Sequence, residues 1–290
     1  MNRIYLIFNI ILLAACTACS STDSSDSVLA VSVEPQRAIL QQIVGDKFRV
    51  VTLLSNGANP ETYDPTIKAR MDVESAKAFF TTGAMPFETR IAEAVGKDVK
   101  VVDTGRGIAP IYGTHSHFHS HDGEVHHHHS HDRDPHIWVS VRNARVIARN
   151  MCDAVCEIDS ANKSFYMERF AAYDAHLDSL DNAFARRFAD LKSRAFAIWH
   201  PSLSYFARDY DLKQISVGFE NKEMSSKHLT DMVENARRDS VEVFFFQKEY
   251  DSRQARTLNA QLGTRLVTIN PLAFEWENSL EEITNALTHK

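Results

Sequence analysis

Cysteine is scarce in this 290-residue chain, with four residues at positions 16, 19, 152 and 156. Cys152 and Cys156 stand four apart in a helical pattern, where a bridge would close a tiny loop and constrain almost nothing. They read as two unpaired helix cysteines, and no second pair completes a cysteine metal site. Positive charge is also in short supply. The 32 Lys and Arg residues against 38 Asp and Glu give a formal net charge of −6. No basic stripe offsets that balance, so a nucleic-acid partner is not expected. The apolar run over 4–15 is twelve residues long, about half of what a membrane-spanning helix needs. HExxH, the helical signature of metallohydrolases, does not occur. Glycine and proline are missing from Lys163 to Arg194, so nothing there breaks a long helix.

Histidine, by contrast, is concentrated. Ten of the 14 histidines fall in "THSHFHSHDGEVHHHHSHDRDPHIW", residues 114–138. No packed core needs that density of imidazole. The tract is internal and interrupted by Ser, Asp, Gly and Glu, unlike a terminal purification tag.

The chain opens with Arg3 and the short apolar run, which fits the hydrophobic region of a secretory signal. The run ends in Leu13-Ala14-Ala15-Cys16, which resembles a bacterial lipobox, with cleavage before Cys16 and lipidation on it. Several acyl chains there would anchor the protein stably. "SSTDSSDS", residues 20–27, then reads as a flexible tether. Roughly 260 residues remain, enough for one large domain or two of ordinary size.

Those residues alternate short β-branched runs with amphipathic ones. Strands are expected at 28–34, 49–54, 78–83 and 99–105, with helical patterns between them. The scheme returns at 195–200, 212–219, 241–248 and 265–270. Each half is βαβαβαβ, which implies a parallel sheet with crossover helices. Between the halves, Phe165, Phe170, Tyr173, Leu177, Leu180, Phe184, Phe188 and Leu191 recur at helical spacing. The expected fold class is α/β: two lobes, each with a four-stranded parallel sheet, joined by one long rigid helix. The expected division is a signal peptide at 1–15, a tether at 16–27 and an N-terminal lobe at 28–140, with its His-rich loop at 114–131. Linking helices then occupy 141–193 and a C-terminal lobe 194–290.

Ligands of open parallel sheets bind beyond the carboxyl ends of strands. Glu61, His136, His200 and Asn270 all fall there. Two neutral imidazoles and a carboxylate suit a borderline divalent cation such as Zn2+. If Glu61 is not part of such a site, Glu220 or Glu223 is the replacement. His115, His117, His119, His121, His126, His127, His128, His129 and His131 lie in a disordered-looking tract. They cannot all converge on one tetrahedral ion, and are expected to form a weak, multi-site metal collector.

"DPHIWVS" (134–140), "WHPSLSYFARDYDL" (199–212) and "INPL" (269–272) resemble the zinc and manganese solute-binding proteins of bacterial ABC importers. The resemblance implies two α/β lobes on one long helix, a metal site in the inter-lobe cleft, and His136 and His200 as ligands. It implies Zn2+ as the carried ion, with Mn2+ or Fe2+ as the alternative, and an ABC permease as partner. It further implies a monomer with no enzymatic activity, held by its lipid at the periplasmic or extracellular face of the cell envelope. A zinc-dependent hydrolase and a zinc-buffering, adhesin-like lipoprotein are the competing readings. Two positions depart from the family: Glu61 stands where it usually has His, and Asn270 where it often has an acid. The implied set is His2Glu, completed by the Asn270 carbonyl or a water.

Deleting Thr114–Ser130 is expected to remove weak zinc equivalents and leave one tight equivalent intact. Metal analysis and calorimetry on the deletion variant check this; loss of the tight equivalent would make the tract the functional centre.

Overall fold

The computed structural model describes residues 27–54, 57–113, 116–121, 124–129, 133–217, 226–250 and 252–288. The expected signal peptide with Cys16, and all of the expected tether but Ser27, lie outside them, as do Glu220, Glu223, His115 and His131.

The first sheet is built from β1 (Val28–Val31), β2 (Arg49–Thr52), β3 (Ala78–Thr81) and β4 (Lys100–Asp103), in the order β2-β1-β3-β4. All its pairings are parallel. The inner strands are apolar throughout: VLAV and AFFT are buried at every position. That is what a parallel strand covered on both faces demands. The crossovers are α1 (Glu34–Val44), α2 (Ile67–Glu74) and α3 (Pro86–Ala94). α1 stops at Gly45, whose φ of +58° suits glycine, and a Cβ there would meet the Phe165 ring at 3.1 Å.

Within the His-rich tract, β5 (Ser116–His121) pairs with β6 (Glu124–His129) in an antiparallel ladder. His117 stands opposite His128, and His119 opposite His126. This corrects the disordered reading of those twelve backbone positions, the side chains of which lie outside the described residues. Composition hid a hairpin signal: the two residues between the strands are Asp122 and Gly123, the pair that two-residue turns favour.

Next come α4 (Val141–Ile158) and α5 (Lys163–Phe188), packed side by side. At 26 residues, α5 is about 39 Å long. It ends earlier than the missing glycine and proline suggested. The Phe188 carbonyl accepts from the Leu191 backbone N–H at 3.3 Å and from Arg194 Nη2 at 3.1 Å, turning the chain toward the next strand. Leu191 packs against the core from beyond the helix, and Tyr166, absent from the expected stripe, is fully buried. Arg145 on α4 meets Asp174 at 2.8 Å and Asp178 at 2.6 Å on α5. Cys152 and Cys156 are free, buried thiols on α4. Burial, with Cys156 beside it, pushes the Cys152 thiol up to about 12. Among the described residues no helix is long and apolar enough to cross a membrane.

The second sheet holds β7 (Ala195–Ile198), β8 (Lys213–Ser216), β9 (Val243–Gln247) and β10 (Arg265–Ile269), in the order β10-β9-β7-β8 and again parallel. Its helices are α6 (Ser204–Asp209), α7 (Ser226–Arg238), α8 (Ser252–Leu262) and α9 (Trp276–Thr288). The period-two alternation of a strand divides its core. Phe196, Ile198 and Phe245 join one continuous cluster with α4, α5 and the first lobe. Ala197, Trp199, Phe244 and Phe246 pack the other face with Val233, Leu258 and Leu262.

Polar contacts stitch the lobes together as well. Trp138 Nε1 donates to the Pro271 carbonyl at 2.8 Å, and Arg208 Nη2 to Asn143 Oδ1 at 3.0 Å. The Arg37 guanidinium lies 4.2 Å from the centre of the Phe274 ring. α5 holds α9 through Tyr173 to Glu277 at 2.9 Å and Arg187 to Glu281 at 2.5 Å.

Phe184 is fully buried on α5 against the rings of Phe206 and Tyr210. Phe184→Ala should cost about 3–5 kcal/mol of stability. Denaturant unfolding measures it, and a cost under about 1 kcal/mol would mean that the helix is not part of a shared core.

Candidate metal centre

Glu61, His200 and Asn270 follow parallel strands, and His136 stands between the His-rich tract and α4. Glu61 lies in the loop after β2, where its backbone N–H donates to Asn59 Oδ1 at 2.9 Å. Such a local turn fixes the loop without a regular element. Farther along, Tyr63 donates to the Leu53 carbonyl at 2.9 Å and packs edge-on against Phe87.

His136 is placed by the residue two before it. Asp134 is fully buried, and its Oδ1 takes both the His136 backbone N–H, at 2.9 Å, and Nδ1, at 2.8 Å. Donation from Nδ1 leaves the lone pair on Nε2, the arrangement of a metal-binding histidine oriented by a carboxylate. The Asp134 carbonyl in turn accepts from Tyr205 OH at 3.0 Å, and Tyr205 belongs to the second lobe.

His200 follows β7. Its backbone is clamped by the buried amide of Gln247, at the end of β9: His200 N donates to Oε1 at 3.2 Å, and Nε2 donates back to the His200 carbonyl at 2.6 Å. The ring stacks on Tyr250 with centroids 5.3 Å apart and planes 23° apart.

These elements bring together three of the four predicted residues. One donor atom each from Glu61, His136 and His200 lies within 4.8 Å of the others. His200 Nε2 and Glu61 Oε1 are 3.3 Å apart, and the two imidazoles meet edge-on at 5.2 Å. His136 and His200 are 3 % and 6 % exposed, and Glu61, half-buried, forms the side of the site open to solvent. Asn270, after β10, lines a narrow inter-lobe crevice with Glu34, Leu54 and Gly57 on one side and Lys248, Glu249 and Leu272 on the other. Its backbone carbonyl accepts from Ser279 Oγ at 3.0 Å.

Burial opposes a charge on His136. The pull and hydrogen bond of Asp134 outweigh it, helped by Glu61 and Glu249, and the imidazole stays above the usual histidine range. Glu249 is raised from the usual carboxylate range by its burial, which His136 partly offsets. This second acid beside the site was not singled out from the sequence, and nor were Asp134, Gln247, Asn59 and Tyr250. Asp134 had a legible signal, an acid two residues before a candidate ligand; the others had none.

The family described as "ZnuA: Zinc-uptake complex component A periplasmic" matches residues 29–288. The chain belongs to this family. The resemblance carried by the motifs at 134–140, 199–212 and 269–272 is borne out. Curated family-like relatives include the "High-affinity zinc uptake system protein ZnuA" of Bacillus subtilis, 28% identical over 273 residues that cover 90% of this chain and 85% of the relative. A "Putative metal-binding protein" of Treponema pallidum is 28% identical, covering 86% of this chain and 81% of the relative. The "Zinc-binding lipoprotein AdcA" of Streptococcus pneumoniae is 27% identical over 99% of this chain, which spans 58% of that longer protein. Among solved structures, "Crystal structure of ZnuA" superposes with a TM-score of 0.79 at 28% identity, covering 91% of this chain and all of that one. Two four-stranded parallel sheets on a helical connection are thus the family's two-lobe architecture.

In chelator-treated protein, His136 should titrate above about 6.5, the ordinary value. A pKa raised in the fold stabilises the protein fully below about pH 6.5 and loses that contribution as pH rises through the raised value. Imidazole NMR checks this: Asp134→Asn should bring the His136 midpoint down. An unchanged midpoint would remove Asp134 as its cause.

Proposed function

We propose that this chain captures Zn2+ outside the cytoplasm and delivers it to an ABC-type import permease. One observation carries the reading: a carboxylate and two imidazoles converge, Glu61 and His136 from the first lobe and His200 from the second. Zinc bonds of about 2.0–2.1 Å in a tetrahedron set neighbouring donors roughly 3.3 Å apart. The Glu61–His200 pair already stands at 3.3 Å. Membership of a zinc-uptake family supports the same cargo and a permease as partner.

A fixed donor set with one carboxylate binds the ion with a net positive charge, which favours reversible capture over permanent burial. Asn270 adds no charge in the place where the family often has an acid. The His-rich tract with its β5–β6 ladder serves as a collector beside the cleft, and acyl chains on Cys16 hold the protein at the membrane. Family relatives are solute-binding proteins, which speaks against a hydrolase. Glu61 in place of an imidazole makes the site harder and moves it toward Mn2+. A solved relative, an Mn-bound periplasmic metal binding protein from Candidatus Liberibacter asiaticus, attests the shared fold alone at 19% identity.

His136→Ala and His200→Ala should each abolish tight binding of one Zn2+ equivalent in calorimetry; unchanged binding would remove that residue from the site. Glu61→Gln should weaken zinc by well over tenfold, more than about 1.4 kcal/mol. Glu61→His should restore zinc and raise its preference over manganese in competition. If Glu61→Gln binds as tightly as the parent chain, the carboxylate is a bystander.

A further inference from the structure

Around the metal centre the two lobes form a closed circuit of contacts. Glu61 N–H donates to Asn59 Oδ1 at 2.9 Å. Asn59 Nδ2 donates to Tyr250 OH at 3.3 Å. The Tyr250 ring stacks on His200 at 5.3 Å, and His200 Nε2 faces Glu61 Oε1 at 3.3 Å. Asn59 and Glu61 belong to the loop after β2 in the first lobe; Tyr250 and His200 belong to the second. Tyr250 is itself set by a turn, its backbone N–H donating to the Gln247 carbonyl at 3.2 Å, and Gln247 clamps the His200 backbone. Tyr250 is thus tied to the His200 segment of its own lobe and reaches across to the opposite loop.

We propose that Asn59 and Tyr250 are positioning residues that latch the loop after β2 onto the second lobe and set the rate at which the cation leaves. The proposal rests on the zinc reading above. Separating Glu61 from His200 moves the first-lobe loop away from the second lobe. Asn59 rides on that loop through the Glu61 N–H, so the Asn59–Tyr250 hydrogen bond must break before the donors part. The stacked ring keeps His200 aligned meanwhile. Neither latch residue is a metal ligand, so the latch acts on escape and leaves the donor set as it is. Most affinity differences between related complexes fall in the dissociation rate, which is where a closure contact of this kind acts.

The test is stopped-flow release of Zn2+ from the full mature chain into excess chelator. Tyr250→Phe keeps the ring and its stacking on His200 and removes only the hydroxyl. It should speed zinc release about fivefold, the effect of one neutral hydrogen bond worth about 1 kcal/mol. The association rate should stay that of the parent, and the Tm of the chelated protein should fall by no more than the few degrees that one such bond is worth. Asn59→Ala, which also removes the acceptor of the Glu61 N–H, should likewise speed release, and adding Tyr250→Phe to it should bring less than its effect in the parent, because both remove the Asn59–Tyr250 bond. Release from Tyr250→Phe at the parent rate, or fully additive effects in the double variant, would overturn the latch while leaving zinc capture standing. Absence of tight zinc in the parent chain would overturn the zinc reading, and the latch with it.

Discussion

Everything at the metal centre depends on two lobes held at a fixed separation. The core that runs without a break from the first sheet through α4 and α5 into β7, β9 and α9 provides this. Two sheets on a flexible hinge would let the strand-end loops drift, and donors from different lobes would meet only at a cost in entropy. Here the frame absorbs that cost during folding. Trp138 on Pro271, Tyr205 on Asp134 and Arg208 on Asn143 then register the lobes beside the cleft.

Asp134 shows how frame and chemistry interlock. One oxygen of a fully buried carboxylate orients the His136 ring, while the carbonyl of the same residue is held by the other lobe through Tyr205. The negative charge beside the ring also holds its pKa up, so protons and cations compete for one imidazole. Glu249 lies buried beside the same imidazole, and its burial raises it from the usual carboxylate range.

The departures from the family pattern gain a physical meaning in this setting. A carboxylate at Glu61 approaches His200 Nε2 at donor–donor distance without help from Asn270. Asn270 lines the neighbouring crevice, its backbone carbonyl held by Ser279. The charge lost at that position is partly made up by Glu61 in place of a neutral imidazole.

Much of this was legible in the sequence. Short apolar runs alternating with amphipathic ones fixed two βαβαβαβ halves, because strand and helix periods differ and burial on both faces forces continuous hydrophobicity. The absence of glycine and proline marked the long helix, although its end at Phe188 depended on where Leu191 packs. The hairpin of the His-rich tract was missed because histidine content spoke louder than Asp122-Gly123. Glu61, His136 and His200 could be named because strand ends are places that local pattern marks. Asn59, Gln247, Glu249 and Tyr250 could not, since each matters only through a neighbour far away in the chain; Asn59 and Tyr250 are 191 residues apart. Residue type and period determine which groups can bind a cation and on which element they ride. Which of them face one another, at what distance and with what protonation, is decided only when long-range packing sets one lobe against the other.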